Sequence, residues 1–180
     1  MLSGKTTLLD VLAGRKTSGK VEGKILMNGH PQTFPTFQRL NGFCEQNDVH
    51  LGTETVREAL EFSATLRLPG SVTSEQRCAF VDQILHDLEL WDLQHRLIGD
   101  ENIVGLSPGE LKRVTIGVEL ASNPSILFLD EPTSSLDSRA ALVVVRVIRK
   151  IASRGRAVVW SASLAQGTRL SVNISRCAPC

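Results

Sequence analysis

The chain has 180 residues, enough for one domain of ordinary size. Twenty Lys and Arg against nineteen Asp and Glu leave a formal charge of +1, which argues against a strongly basic nucleic-acid binder and against an acidic tail. Hydrophobic residues at 42% and charged residues at 22% are the proportions of a folded domain and exclude disorder as the default state.

The longest unbroken aliphatic run, Ala140 to Val145, is far short of the ~20 residues needed to span a bilayer. No basic segment followed by an apolar one opens the chain, so no secretory signal is expected. Cys44, Cys78, Cys177 and Cys180 are too few and too scattered for a disulfide framework, which points to a reduced, cytosol-facing domain.

The first chemical segment is Ser3-Gly4-Lys5-Thr6-Thr7. It enters a helix whose apolar positions are 8, 9, 11 and 12, with Gly14 as the stop. This is the second half of a phosphate-binding loop, G-x-x-x-x-G-K-[ST]. In such a loop backbone amides at the helix start cradle phosphate, the lysine faces the terminal phosphates and the hydroxyl binds magnesium. Ser3, Gly4, Lys5, Thr6 and Thr7 are thus candidate nucleotide ligands, and Thr6 a candidate metal ligand. A lysine-capped surface helix is the plainer alternative. The first glycine of the pattern and its leading strand would precede Met1.

Next comes an expected strand at Lys24 to Asn28, ended by Asn28-Gly29. A second, Leu40 to Glu45, leads into Gln46-Asn47-Asp48. Together they suggest a small antiparallel β portion near residues 20–45. Thr55-x-x-Glu58 is a capping box for a helix through about Leu66, closed by Pro69-Gly70. Ser74 is expected to cap a further helix with an apolar stripe of Phe80, Val81, Ile84, Leu85 and Leu88. The stretch from Thr53 to about Gly99 is therefore mostly helical.

Ser107-x-x-Glu110 is another capping box, with Pro108 at the favoured first helical position and Leu111, Val114 and Val118 along one face. It reads either as a well-capped amphipathic helix or as a helix start that binds an anion. Ile126-Leu127-Phe128-Leu129 has the look of a strand buried on both faces, and it ends in Asp130-Glu131. Carboxylates at the C-terminal end of a central strand point into the ligand crevice of an open α/β sheet. Asp130 suits a magnesium ligand and Glu131 a general base, against the alternative of a strand ending in an acidic turn.

The order Gly-Lys-Thr-Thr, Gln46, Leu-Ser-x-Gly-Glu, four apolar residues with Asp-Glu, then Ser-Leu-Asp resembles the nucleotide-binding domain of ABC transporters. The wording of Thr6 to Gly19, Cys44 to His50, Arg113 to Pro124 and Asp130 to Asp137 is closest to the G subfamily with its pleiotropic-drug-resistance transporters. The resemblance covers roughly residues 3 to 159.

It implies an α/β P-loop NTPase fold of the ABC ATPase type. That fold would comprise a partial nucleotide-binding domain at 1–159, a helical subdomain at about 53–105 and a divergent tail at 160–180. It further implies ATP and Mg2+ as ligands, with Gln46 as the glutamine that senses metal and γ-phosphate. Ser107 and Gly109 become the signature residues facing ATP on an opposing domain, and Asp137 joins the dimer interface. The implied partners are a second nucleotide-binding domain and a transmembrane domain, without nucleic acid. The expected location is the cytoplasmic face of a membrane, and the expected work is export of hydrophobic compounds or lipids.

The departures are specific. Pro108 removes a backbone donor from a helix start meant to meet phosphate. Glu110 stands where Gln is commonest and Ser135 where Gly or Ala is frequent. Ser163 occupies the position of the family's switch histidine and cannot replace an imidazole. From about Trp160 the similarity stops, so the tail is expected to be a frame change or unspliced reading and the start a truncated gene model. Cys177-x-x-Cys180 lacks a partner pair, and His30, His50, His86 and His95 show no ligand spacing. Besides an exporter ATPase, two readings stay open: a hydrolysis-deficient ATP-binding or interaction remnant, and a soluble ABC-type ATPase acting on nucleic acid or ribosomes.

Overall fold

The computed structural model describes residues 4–32, 37, 39–100 and 102–162. The first helix, α1 (Lys5–Leu12), starts without a side-chain cap. Gly4 precedes it in the left-handed conformation, φ 69°, which glycine adopts without strain. Gly14, also at φ 69°, ends the helix as its sequence position suggests.

The strand expected at 24–28 shortens to β1 (Leu26–Met27), paired antiparallel with β2 (His30–Pro31). Asn28 and Gly29 between them both take positive φ, 51° and 84°, the requirement of a tight hairpin turn. The next strand, β3 (Asn41–Cys44), does not belong to that antiparallel portion. It pairs parallel with β4 (Ile126–Leu129), which pairs parallel with β5 (Ala157–Trp160), in the order β3-β4-β5. The antiparallel part is thereby confined, among the described residues, to the 26–31 hairpin. A strand with Gly42 and Cys44 buried on one side and Phe43 stacked on Phe128 at 6.3 Å on the other has two covered faces, the environment of a parallel sheet.

Between β3 and β4 lie α2 (Val56–Arg67), α3 (Ser74–Asp87), a 3-10 turn at Trp91–Leu93 and α4 (Pro108–Leu120). The capping box at α2 forms as expected: the Glu58 amide donates to Thr55 Oγ1 at 3.3 Å and the Thr55 amide to Glu58 Oε2 at 2.9 Å. At α3 the cap is Thr73, one residue before Ser74. The reason is chemical. From Thr73 the third helical residue is Gln76, whose Oε1 accepts the Thr73 amide at 2.9 Å, whereas from Ser74 it would be Arg77, which cannot accept. Past the end of α3, the Arg113 guanidinium of α4 takes the carbonyls of Leu88 and Glu89, at 2.8 and 2.7 Å. The apolar run 140–145 lies inside α5 (Ser138–Ser153), a helix not among those expected, although Val144, Val147, Ile148 and Ile151 bury at helical spacing.

The sheet sorts its side chains by alternation. Cys44, Leu127, Leu129 and Val158 join α2, α3, α4 and α5 in one core through Val56, Leu60, Leu85, Leu88, Val114, Ile116 and Val147. Phe128 and Val159 face the other way and bury Leu9 and Ala13 of α1 and its end, with Phe37. The layers are thus α1, sheet, then the remaining helices, the α/β arrangement with helices on both faces of a parallel sheet. Among the described residues no helix is long and apolar enough to cross a membrane.

Leu60 has no exposed surface and sits where α2 meets α4. Replacing it with Ala should remove about 3 kcal/mol of unfolding free energy by leaving a cavity in a close-packed core. Urea unfolding of the two proteins is the check.

Candidate functional site

The register of the parallel sheet builds the site. Cys44, Leu129 and Trp160 lie level across the three strands. The ladder then continues past the strand ends: the Asp130 amide donates to Cys44 O at 2.9 Å and the Ser161 amide to Leu129 O at 3.0 Å. Glu45 and Gln46, Asp130 and Glu131, and Ser161 therefore leave the sheet side by side at its carboxyl edge. The start of α1 comes to the same edge. Lys5 is almost wholly buried, and its Nζ lies 2.7 Å from Glu131 Oε1 and 3.4 Å from the Ala162 carbonyl oxygen.

Thr6, Gln46 and Asp130 line one cleft of about 450 Å³ beside this pair, together with Asp10, Lys16 and Ser18. Of the sequence-predicted residues the structure thus gathers Lys5, Thr6, Gln46, Asp130 and Glu131, with Gly4 at the helix start. Thr7 is exposed in the first turn of α1. Ser3, Ser163 and the Cys177–Cys180 pair lie outside the described residues.

Glu131 holds a left-handed backbone, φ 46°, a rare state for a residue with a side chain. Its carbonyl accepts from the Ser134 amide at 3.0 Å and the Ser134 hydroxyl at 2.9 Å, which closes a tight turn. Ser135 is also left-handed, φ 64°. That conformation favours glycine, so Ser here carries strain. Asp137 caps α5, accepting from the Arg139 and Ala140 amides at 2.8 and 2.9 Å.

Ser107 and Gly109 do not line the cleft. The Ser107–Glu110 box forms, with the Ser107 amide and hydroxyl both donating to Glu110 Oε2, at 2.8 and 2.7 Å. Although partial burial works against it, those two hydrogen bonds and nearby Arg96 and Arg113 hold the Glu110 carboxyl below its ordinary value. Gly109 is buried against α5, where a Cβ would stand 2.7 Å from Ala140 Cβ. The glycine is required for helix packing before any ligand is considered.

Two residues that sequence reasoning missed tie the site together. Ser161 Oγ contacts both acidic residues, Asp130 Oδ1 at 2.6 Å and the Glu131 amide at 2.9 Å. Its signal was available: it follows the apolar run 157–160 as Asp130 follows 126–129. Lys112, one turn into α4 from Pro108, is buried and donates to the Gln46 carbonyl at 2.9 Å while pairing with Asp48 Oδ1 at 2.9 Å. Asp48 Oδ1 also accepts from Thr115 Oγ1 at 2.6 Å. With its proton so engaged, Thr115 Oγ1 is left to accept from His50 Nε2 at 2.8 Å, which assigns the imidazole proton to Nε2. Burial lowers the His50 pKa, Lys112 adding to the effect and Asp48 and Glu54 opposing it.

The donor set fits a nucleotide and its cation. A helix start with no side-chain cap and no acidic residue in its first turn suits an anion. Among the described residues no cluster of three or more His, Cys, Asp or Glu side chains could hold a metal by itself. One carboxylate and one hydroxyl instead suit Mg2+, which shares its coordination with substrate phosphates and water.

Such a helix start, its lysine and a pair of carboxylates meeting at the carboxyl edge of a parallel sheet define a P-loop nucleotide-binding domain. A family model described as ABC transporter matches residues 3–134. Over 157 residues the chain is 52% identical to ABC transporter G family member 41 of Oryza sativa subsp. japonica. It is 53% identical to G family member 31 of Arabidopsis thaliana and to G family member 46 of Oryza sativa subsp. japonica. Each comparison takes in 87% of this chain and 11% of the relative, so the chain spans about a tenth of the length of these proteins. The chain belongs to the ABC transporter family, as an ATP-binding domain of the G type.

Replacing Lys112 with Met should cost about 2 kcal/mol, because the half-buried Asp48 would keep the Thr115 hydroxyl but lose its cation. Thermal and urea unfolding of the variant provide the measurement.

Proposed function

We propose that this chain is the nucleotide-binding part of an exporter, binding ATP with Mg2+ and hydrolysing it to power transport of hydrophobic compounds or lipids. One observation carries the reading: a buried lysine at the start of α1 meets Glu131 beside a cleft lined by Thr6, Gln46 and Asp130.

In this reading the amides from Gly4 to Thr7 and the Lys5 ammonium hold the phosphates. A polyanion competes with Glu131 for Lys5, and the released carboxylate accepts a proton from the attacking water. Asp130, Thr6 and Gln46 would hold Mg2+, which neutralises charge developing on the phosphate oxygens. Ser107 and Gly109, set apart from the cleft, would face ATP on a second nucleotide-binding domain, and Asp137 would lie near that junction.

The helices between residues 53 and 105 would form the block that meets a transmembrane domain. The partial nucleotide-binding unit expected at 1–159 would run on through Trp160, Ser161 and Ala162, which pack on it, with the divergent tail after them. The chain would then work at the cytoplasmic face of a membrane. With a charge of +1, nucleic acid is not among the proposed partners.

A second reading, an ATP-binding domain without turnover, is favoured by Pro108, whose missing amide weakens the signature, and by Ser163 at the switch position. Titration with a fluorescent ATP analogue in Mg2+ tests the binding that both readings share. Lys5→Ala should weaken binding about tenfold or more, the equivalent of the ~1.5–3 kcal/mol of a hydrogen bond to a charged group. Unchanged binding in that variant would remove the phosphate role of Lys5. Turnover that exceeds that of Glu131→Gln supports hydrolysis; equal turnover in the two proteins leaves the second reading.

A further inference from the structure

We propose that Ser161 is a positioning residue that sets the two acidic side chains of the nucleotide site through a single hydroxyl. It is the first residue beyond β5, 1% exposed, and its own amide is fixed to Leu129 O at 3.0 Å. A hydroxyl has one proton and a backbone amide can only donate, so the direction of both bonds is determined. Ser161 Oγ accepts from the Glu131 amide at 2.9 Å and gives its proton to Asp130 Oδ1 at 2.6 Å.

The consequence for each acid differs. Asp130 is 3% exposed, and a short bond to one carboxylate oxygen fixes the plane of the group and so the direction of the other oxygen. Glu131 is held through its backbone. At φ 46° the chain turns out of the extended path of β4, and the Glu131 amide leaves the ladder that serves Asp130 and Ser161. The serine oxygen supplies it, and the reversal so stabilised turns the Glu131 side chain onto Lys5, 2.7 Å away. The next residue, Ala162, presents its carbonyl to the same lysine at 3.4 Å. Residues 161 and 162 thus contact the Asp130 carboxylate, the Glu131 backbone and the Lys5 cation, with no ionisable group of their own.

Removing the hydroxyl leaves the Glu131 amide without its acceptor and Asp130 Oδ1 without its donor, while Lys5 and the start of α1 keep their places. The effect should therefore fall on the Mg2+-dependent part of nucleotide binding. In the 180-residue chain, Ser161→Ala should raise the Mg2+ concentration for half-maximal binding of a fluorescent ATP analogue about tenfold. Binding without Mg2+ should not fall, because the amides at the start of α1 and Lys5 stay available to phosphate while Glu131 competes less for the lysine. Ser161→Thr, which keeps the hydroxyl, should restore the wild-type Mg2+ dependence. If Ser161→Ala instead lowers binding equally with and without Mg2+, or leaves both untouched, the positioning role is overturned.

The inference rests on the nucleotide site proposed above, so a readout without nucleotide separates the two. Amide exchange at Glu131 should accelerate about tenfold in Ser161→Ala, with the Leu129 amide unaffected. An unchanged rate at Glu131 overturns the inference whatever the binding result. Failure of the wild-type chain to bind nucleotide, with the exchange shift present, sinks the proposed function and leaves the hydrogen-bond bridge standing.

Discussion

Everything chemical in this chain depends on how three parallel strands end. Cys44, Leu129 and Trp160 share one level, and two further ladder bonds carry that alignment to Asp130 and Ser161. Parallel strands all finish at the same edge, so a register shift of one residue would exchange the faces of Leu129 and Phe128 and move every acidic group with them. The two cores prevent such a slip. Leu127 and Leu129 belong to the helices on one side, Phe128 to α1 on the other, and neither set can be exposed without losing its apolar burial.

Helix α4 adds a second constraint. Its start carries Ser107 and Gly109, and one turn later Lys112 reaches across to the Gln46 carbonyl and to Asp48. A buried ammonium held by a carboxylate and two carbonyl oxygens, the second that of Glu45 at 3.4 Å, is a rigid strut between the segment after β3 and the helix beyond it. Movement at the start of α4 therefore cannot leave the segment around Gln46 behind. Gly109 serves the same rigidity, since the absent side chain lets α4 close on Ala140 of α5.

Local chemistry explains which elements were legible from residues alone. The boxes at Thr55 and Ser107, the turn at Asn28-Gly29 and the apolar strand 126–129 each place a donor, an acceptor or a conformational preference within four residues of its partner. Such signals survive without tertiary context. The cap of α3 fell one residue early for the same kind of reason, the acceptor at Gln76 deciding it. Helix α5 carries its own signal, Val144, Val147, Ile148, Ile151 and Ala152 at helical spacing, which the continuous apolar run 140–145 overlies. The allegiance of β3 was hidden for a deeper reason: four residues cannot state whether their neighbour is the hairpin just before them or a strand 85 positions further on.

By itself the sequence determined the family, through the order of Gly4-Lys5-Thr6, Gln46, Ser107-x-Gly109 and Asp130-Glu131; residue type and spacing alone suggested chemistry for the first and last of these, and resemblance for the other two. Tertiary structure alone decided the partnerships. That Lys5 rests on Glu131, that Lys112 holds the carbonyl of Gln46 and that Ser161 bridges both acids follow from contacts between residues 30 to 126 positions apart. Hydrogen bonds and ion pairs reach about three ångströms and leave no trace in spacing; only the sheet register and the two cores bring such distant groups within that reach.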